Sequence, residues 1–365
     1  MARARTAPDL WLIIPTLLIL AIGVIMVYSA SAILAFHDFG DSFYYLKRQL
    51  IFAVLGVCAM FITMRIDYHV WRRVANIGLI ACFLLLIIVL IPGIGVERGG
   101  ARSWLGIASF GIQPSEFMKM AMIIFMASVL SEPESRITSF NKGLLPMLLI
   151  LGLAFGLIML QPDLGTGAVL LGAILLVIYT AGARLAHLAW LGIIGVIGFA
   201  GLIAAAPYRL QRITSFLDPW QDPLGAGYQI IQSLYAIGPG GLVGLGLGMS
   251  RQKYSYLPEP QTDFIFSIIA EELGFIGAAT VLLLFLLLIW RGMRTAITAP
   301  DSFGSLLATG IVGMIAVQVI INIAVVTGMM PVTGITLPLI SAGGSSLTLM
   351  LTAIGILLNI SRYAR

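Results

Sequence analysis

The chain has 365 residues, of which 59% are hydrophobic and only 10% charged, with a formal net charge of +5. A soluble domain carries about 25% charged residues, so the composition excludes a soluble enzyme and marks an integral membrane protein. The positive balance fits a chain resting on anionic lipid, not one reading nucleic acid.

In chain order, apolar runs of the length a membrane helix needs, roughly 17–25 residues, predict ten spans at about 10–35, 49–64, 74–92, 114–130, 144–160, 166–181, 188–206, 264–290, 304–328 and 345–360. The expected fold is all-α and polytopic, a single integral-membrane domain over 1–365, with no soluble domain and no repeat of 20–50 residues. Ser29-Ala30-Ser31-Ala32 faintly resembles a cleavage site, but the first run is too long for a signal-peptide core and reads as a retained anchor. Arg3, Arg5, Arg65, Arg72, Arg73, Arg136, Lys142, Arg184, Arg291, Arg294, Arg362 and Arg365 fall on one side, mostly in short loops. The positive-inside rule makes that side cytoplasmic, and an even number of spans puts both termini there. Cys58 and Cys82 lie inside apolar runs as fillers, and His37, His69 and His187 have no ligand spacing.

Two external loops are long, 93–113 and 207–263, the second between spans seven and eight. A loop of that length in a compact protein usually carries function, which places the working face outside. Within it, Tyr228–Tyr235 has apolar residues at helical spacing and predicts a short interfacial helix. The glycine-rich stretch 238–248 lacks the Gly-Lys-Ser/Thr of a phosphate loop and reads as a flexible re-entrant turn.

The chemistry concentrates at the external ends of spans. Asp263 follows Pro258-Glu259-Pro260-Gln261-Thr262 and stands at the mouth of the eighth span. A carboxylate at a membrane boundary is costly unless used or paired. Asp263 could act as a general base, hold a metal, or simply cap the helix. Of Glu271 and Glu272, adjacent on a helix, at most one can face the site squarely, and the other pairs with a basic group. Glu116 and Lys119 stand at i, i+3 on the fourth span, an anionic-substrate clamp or a self-contained ion pair. In Gln161-Pro162-Asp163-Leu164-Gly165-Thr166, Asp163 could coordinate a cation, though capping the sixth span is the plainer role. Arg102, Arg209, Arg212, Arg251 and Lys253 offer external positive charge suited to a pyrophosphate, or to lipid headgroups. Gln318 and Asn322, one turn apart, read as inter-helix hydrogen bonders.

Four strings occur together in the order of one family. Asn322, then Gly328-Met329-Met330-Pro331-Val332-Thr333-Gly334-Ile335, then Leu339-Ile340-Ser341-Ala342-Gly343-Gly344-Ser345-Ser346 resembles the signature of the SEDS proteins, the shape, elongation, division and sporulation family of RodA, FtsW and SpoVE. Gln113–Lys119, Gln161–Thr166 and Pro258–Phe266 match further family motifs, and the likeness covers 10–361, closest to the SpoVE type. The resemblance implies a glycosyltransferase that polymerises lipid II into peptidoglycan strands on the outer face of a bacterial cell membrane. It implies Asp263 as the essential acid and Glu116 and Lys119 as the functional pair. Substrate contacts are expected among Glu116, Lys119, Arg102, Gln161, Asp163, Arg209, Arg251, Ser341 and Ser345. Ala342 stands where many members carry Tyr, which removes one aromatic contact. A class B penicillin-binding protein transpeptidase is the implied partner. Whether a divalent cation, Mg or Mn, sits on Asp263 and Asp163 is left open. Two rival readings are a lipid II flippase or transporter, whose sites gather at the midplane, and a non-catalytic scaffold for a transpeptidase.

Overall fold

The computed structural model describes residues 7–98, 101–107, 110–133, 137–204, 214–254 and 256–364. Arg3, Arg5, Arg136 and Arg365, used above to orient the chain, lie outside them. The chain is mostly helical: α1 (Leu10–Phe39), α2 (Tyr44–Arg65), α3 (His69–Leu90), α4 (Pro114–Leu130), α5 (Leu145–Met159), α6 (Leu164–Thr180), α7 (Leu185–Ala204), α8 (Tyr228–Ile237), α9 (Ile265–Thr298), α10 (Ser302–Val326) and α11 (Gly344–Ser361). The expectation of an all-helical chain needs one correction. The loop between α3 and α4 forms a three-stranded antiparallel sheet, β1 (Gly95–Arg98), β2 (Ala101–Ile107) and β3 (Phe110–Ile112). Backbone groups between two membrane helices must find partners, and cross-strand pairing supplies them.

Among the described residues, seven segments are long and apolar enough to cross a membrane: α1, α2, α3, Phe140–Met159, α9, α10 and α11. Leu164–Thr180 and Leu185–Gly195 are apolar but shorter. The helices begin where the sequence offers caps. Asp9 accepts from the Trp11 N–H, Asp163 from Thr166 and Asp301 from Gly304, and Pro114 opens α4 where its missing N–H costs nothing.

Burial separates inner from outer helices. In the apolar windows of α10 and α11, 72% of residues are buried, against 28% in α2, α3 and α9. The first two form the centre, and the others show side chains such as Ile77, Leu84 and Leu286 outward, where lipid replaces a protein partner. At the basic end, Arg291 of α9 meets Asp9 at the start of α1 at 2.5 Å. There too the fully buried Tyr68 ties the α2–α3 turn to both central helices: its N–H bonds the Asn359 side chain and its hydroxyl the Asp301 carboxylate.

The loop 238–248 is not the flexible turn expected from its glycines. It docks into a break in α9. Gly274 has φ +65 and ψ −165, a region essentially closed to other residues. A Cβ there would lie 2.3 Å from the Gly244 nitrogen. The break frees backbone groups of α9, and the loop takes them up. Leu245 and Gly246 donate to the carbonyls of Glu271 and Glu272 (2.9 and 3.0 Å), and Gly241 and Leu242 accept from the N–H groups of Phe275 and Ile276 (2.9 and 3.1 Å).

Candidate active site

The site lies at the end of the bundle opposite the Asp9–Arg291 pair, where α4, α6, the first half of α9, the end of α10 and the 331–343 segment converge. Gly165 at the start of α6 lets that segment come close, since a Cβ on it would stand 2.6 Å from the Thr333 carbonyl oxygen. Gln318 and Asn322 of α10 hold the segment from the other side. Gln318 donates to the Thr336 carbonyl at 3.0 Å, and Asn322 Nδ2 donates to the carbonyls of Ile335 (2.7 Å) and Asp263 (2.8 Å). Both were expected to bridge helices; instead they chiefly clamp non-helical backbone. Ser341 completes the frame, accepting from the Leu337 N–H at 2.8 Å and donating to the Thr262 carbonyl at 2.6 Å.

Asp263 sits inside this frame. Two readings of it stood open, a cap or a reactive group, and the geometry separates them. The residue directly before α9 is Phe264, and no side chain caps the helix. Among the described residues none donates a hydrogen bond to the Asp263 carboxylate, which is half-buried beside Gly334: a Cβ on that glycine would come 3.7 Å from Oδ2. Burial, followed by the nearby carboxylates of Glu259 and Asp163, pushes its pKa from 3.8 up to about 7. A carboxyl that titrates near neutrality, with neither oxygen bonded by a described residue, is suited to accept a proton from a bound hydroxyl.

The other predicted residues fall in several settings. Lys119 is 2% exposed, with Nζ 2.7 Å from Glu116 and 3.4 Å from Gln318 Oε1. The pair is therefore sealed and reaches Asp263 through Gln318 and the 331–343 segment. Asp163 caps α6 through Oδ1, while Oδ2 accepts from Gln113 at 3.0 Å and Ser115 at 3.4 Å. Gln161 is fully buried, its amide nitrogen on the Leu86 carbonyl and its Oε1 without a partner among the described residues. Ser345 donates to the Gly111 carbonyl of β3 at 3.0 Å, joining the sheet to the start of α11. Arg102 on β2 is half-buried and Arg251 exposed. Arg209 and Arg212 lie outside the described residues. Glu271 and Glu272 are both buried, and Lys253, expected to face a pyrophosphate, is 5% exposed and paired with Glu272.

The fit of a divalent cation can be tested on the donors. Among the described residues no three of His, Cys, Asp or Glu gather in a metal-binding group, and Asp163 spends both oxygens on protein donors. Of the two, only Asp263 has oxygens without a donor among the described residues, so this pair does not form a cation site by itself.

Some site residues escaped the sequence reading. Gln49, 3% exposed, bonds the Ser341 carbonyl and the Gly343 N–H from α2. A glutamine within an apolar run was the available signal. Glu259 acts on Asp263 through space, which its place in a proline-flanked loop does not reveal.

Fold and site together define a class: multi-pass membrane proteins that hold at one end of the bundle a carboxylate framed by backbone and, among the described residues, without a side-chain partner. The family model FTSW_RODA_SPOVE, described as "Cell cycle protein", matches residues 10–365, and the chain belongs to this family. It is 61% identical over 365 residues, with all of both chains covered, to stage V sporulation protein E of Bacillus subtilis (strain 168). It is 46% identical over 353 residues, 97% of this chain and 93% of the other, to the probable peptidoglycan glycosyltransferase FtsW of Trichlorobacter lovleyi. Among solved structures it superposes with TM-score 0.78 at 33% identity, covering 98% of each chain, on one described as "Structural coordination of polymerization and crosslinking by a peptidoglycan synthase complex". The rod shape determining protein RodA of Thermus thermophilus matches with TM-score 0.72 at 30% identity, covering 98% of this chain and 97% of the other.

Proposed function

We propose that this chain is a peptidoglycan glycosyltransferase that polymerises lipid II, the undecaprenyl-pyrophosphate-linked disaccharide-pentapeptide, at the outer face of the bacterial cell membrane. The observation that carries it is the uncommitted carboxylate of Asp263. Asp263 takes the proton from the acceptor sugar's hydroxyl, whose oxygen then bonds to the anomeric carbon of the donor sugar. The bond from that carbon to the polyprenyl pyrophosphate breaks, and the pyrophosphate leaves with the electron pair. Arg102 and Arg251, the less buried of the basic candidates, meet the leaving charge. Glu116, Lys119 and Gln318 keep the 331–343 segment in place beside the acid.

In this reading a single integral-membrane domain crosses ten times, through α1–α7 and α9–α11. Both termini are cytoplasmic and the 207–263 loop is outside. The placement of Arg65, Arg72, Arg291, Arg294 and Arg362 at helix ends supports it. The likeness to stage V sporulation protein E supports a role in spore or septal peptidoglycan. The family resemblance supports a class B penicillin-binding protein as partner.

The deciding experiment is polymerisation of purified lipid II by the purified chain, with and without its transpeptidase, read as glycan ladders beside Asp263→Asn. Ladders from the wild type alone establish an acid-dependent polymerase. A folded wild type that makes no ladders under either condition overturns the reading and directs the next test to lipid II translocation in liposomes.

A further inference from the structure

Lys253 is a buried charge that the chemistry above does not use. Its Nζ stands 3.1 Å from Glu272 Oε1 and 2.6 Å from the Gly248 carbonyl oxygen. Glu272, 0% exposed, also accepts from the hydroxyl of Ser29 on α1 (2.6 Å to Oε2) and from the Ser250 N–H (3.2 Å). One carboxylate thus joins α1, the glycine-loop segment and the first half of α9. Nothing in this group bonds the Asp263 carboxylate.

Helix lengths show where the knot sits. At about 1.5 Å per residue, Glu272 is roughly 28 Å from Arg291 along α9, and Ser29 roughly 30 Å from Asp9 along α1. Arg291 and Asp9 are paired at the far end. Along α10, Asn322, which holds the Asp263 backbone, is roughly 31 Å from Asp301 by the same rise, and Asp301 directly follows the short turn from α9. Counted to Thr298, the end of α9, Glu272 is roughly 39 Å up, so Asp263 lies within about 8 Å of its height. The stretch Ile265–Leu273, about 13 Å of helix, therefore runs obliquely to the bundle axis and ends at the kink at Gly274. It is a short rigid bar with Asp263 at one end, tied by Asn322, and Glu272 at the other, tied by Lys253.

We infer that Lys253 is a positioning residue for the polymerase reaction: through Glu272 it pins the far end of this bar to α1 and the glycine loop, and so sets where the Asp263 carboxylate stands. The inference rests on the proposed function. Without Lys253 the Glu272 charge keeps, among the described residues, only neutral donors in a buried setting, a large cost to the closed arrangement, and the bar is released at that end.

The test uses the full chain with Lys253→Met, Lys253→Arg and the neutral pair Lys253→Met/Glu272→Gln. It measures lipid II polymerisation, thermal unfolding and amide hydrogen exchange over 265–273. Lys253→Met is expected to lower kcat at least about tenfold with KM for lipid II within about twofold, and to raise exchange over 265–273 at least about tenfold. Lys253→Arg, which keeps the charge, is expected to return kcat to within about threefold of wild type. The neutral pair regains thermal stability but not kcat, and it carries the test if the single variant does not fold. Wild-type kcat and exchange in Lys253→Met would overturn the inference. So would recovery of full kcat by the neutral pair, since charge compensation alone would then explain Lys253. A wild type that does not polymerise sinks the proposed function instead, and exchange over 265–273 still reports whether the pin exists.

Discussion

Asn322 Nδ2 donates to the carbonyl oxygen of Asp263 at 2.8 Å and leaves its carboxylate untouched. The residue is held by its backbone, and among the described residues no donor bonds its carboxylate. This separation of anchoring from chemistry allows an acid to be both well placed and reactive.

The first consequence concerns pH. With the Asp263 pKa near 7, the base form grows as pH rises, so polymerisation should climb through an acid limb centred near pH 7. Glu259→Gln removes one of the charges that raise it and should move that limb to lower pH. A pH–rate profile of both forms checks this, and an unmoved limb would remove Glu259 from the account.

The same shift opposes stability. The folded pKa lies above the unfolded value of 3.8, so the folded state holds its proton more tightly, and the benefit present below pH 4 is lost as pH rises towards 7. Asp263→Asn should therefore be inactive yet more stable than wild type at pH 8, by roughly 1–3 kcal/mol once solvent reaching the half-buried carboxylate is allowed for. The gain should shrink as pH falls to 4. Thermal melts at the two pH values measure it.

Removing Asn322 tests the clamp. Asn322→Leu strands the carbonyls of Asp263 and Ile335, each at about 1–3 kcal/mol if buried without a donor. The expected result is a folded protein with kcat reduced far more than KM, measured by lipid II turnover.

The sealed pair predicts an asymmetry. Lys119→Met leaves Glu116 charged and alone, a loss of about 3–5 kcal/mol for a buried pair broken on one side. Adding Glu116→Gln should restore much of the melting temperature but not polymerisation, because Gln318 still lacks its lysine. Full activity in the double variant would reduce the pair to a structural element.

Gly274→Ala combines a closed backbone region with a Cβ placed 2.3 Å from the Gly244 nitrogen. A destabilisation of at least about 2 kcal/mol is expected, with faster proteolysis of the 238–254 segment as the loop leaves the break.

The sequence by itself determined the membrane class, because hydrocarbon imposes long apolar runs that composition displays directly. It located α1 to α11 closely, since their apolar windows, and the cap at Asp163, are local signals. It singled out Asp263, Glu116 and Lys119 because charge near a membrane is conspicuous. Only the tertiary structure decided what these groups touch. No described residue bonds the Asp263 carboxylate while Asp163 is engaged, Lys253 is buried on Glu272 instead of facing substrate, and the glycine stretch plugs a broken helix. Each of these depends on which distant backbone group supplies or withholds a hydrogen bond. Such partners, like Asn322 for Asp263 or Ser29 for Glu272, are set by how helices far apart in the chain pack together, and no local pattern encodes them.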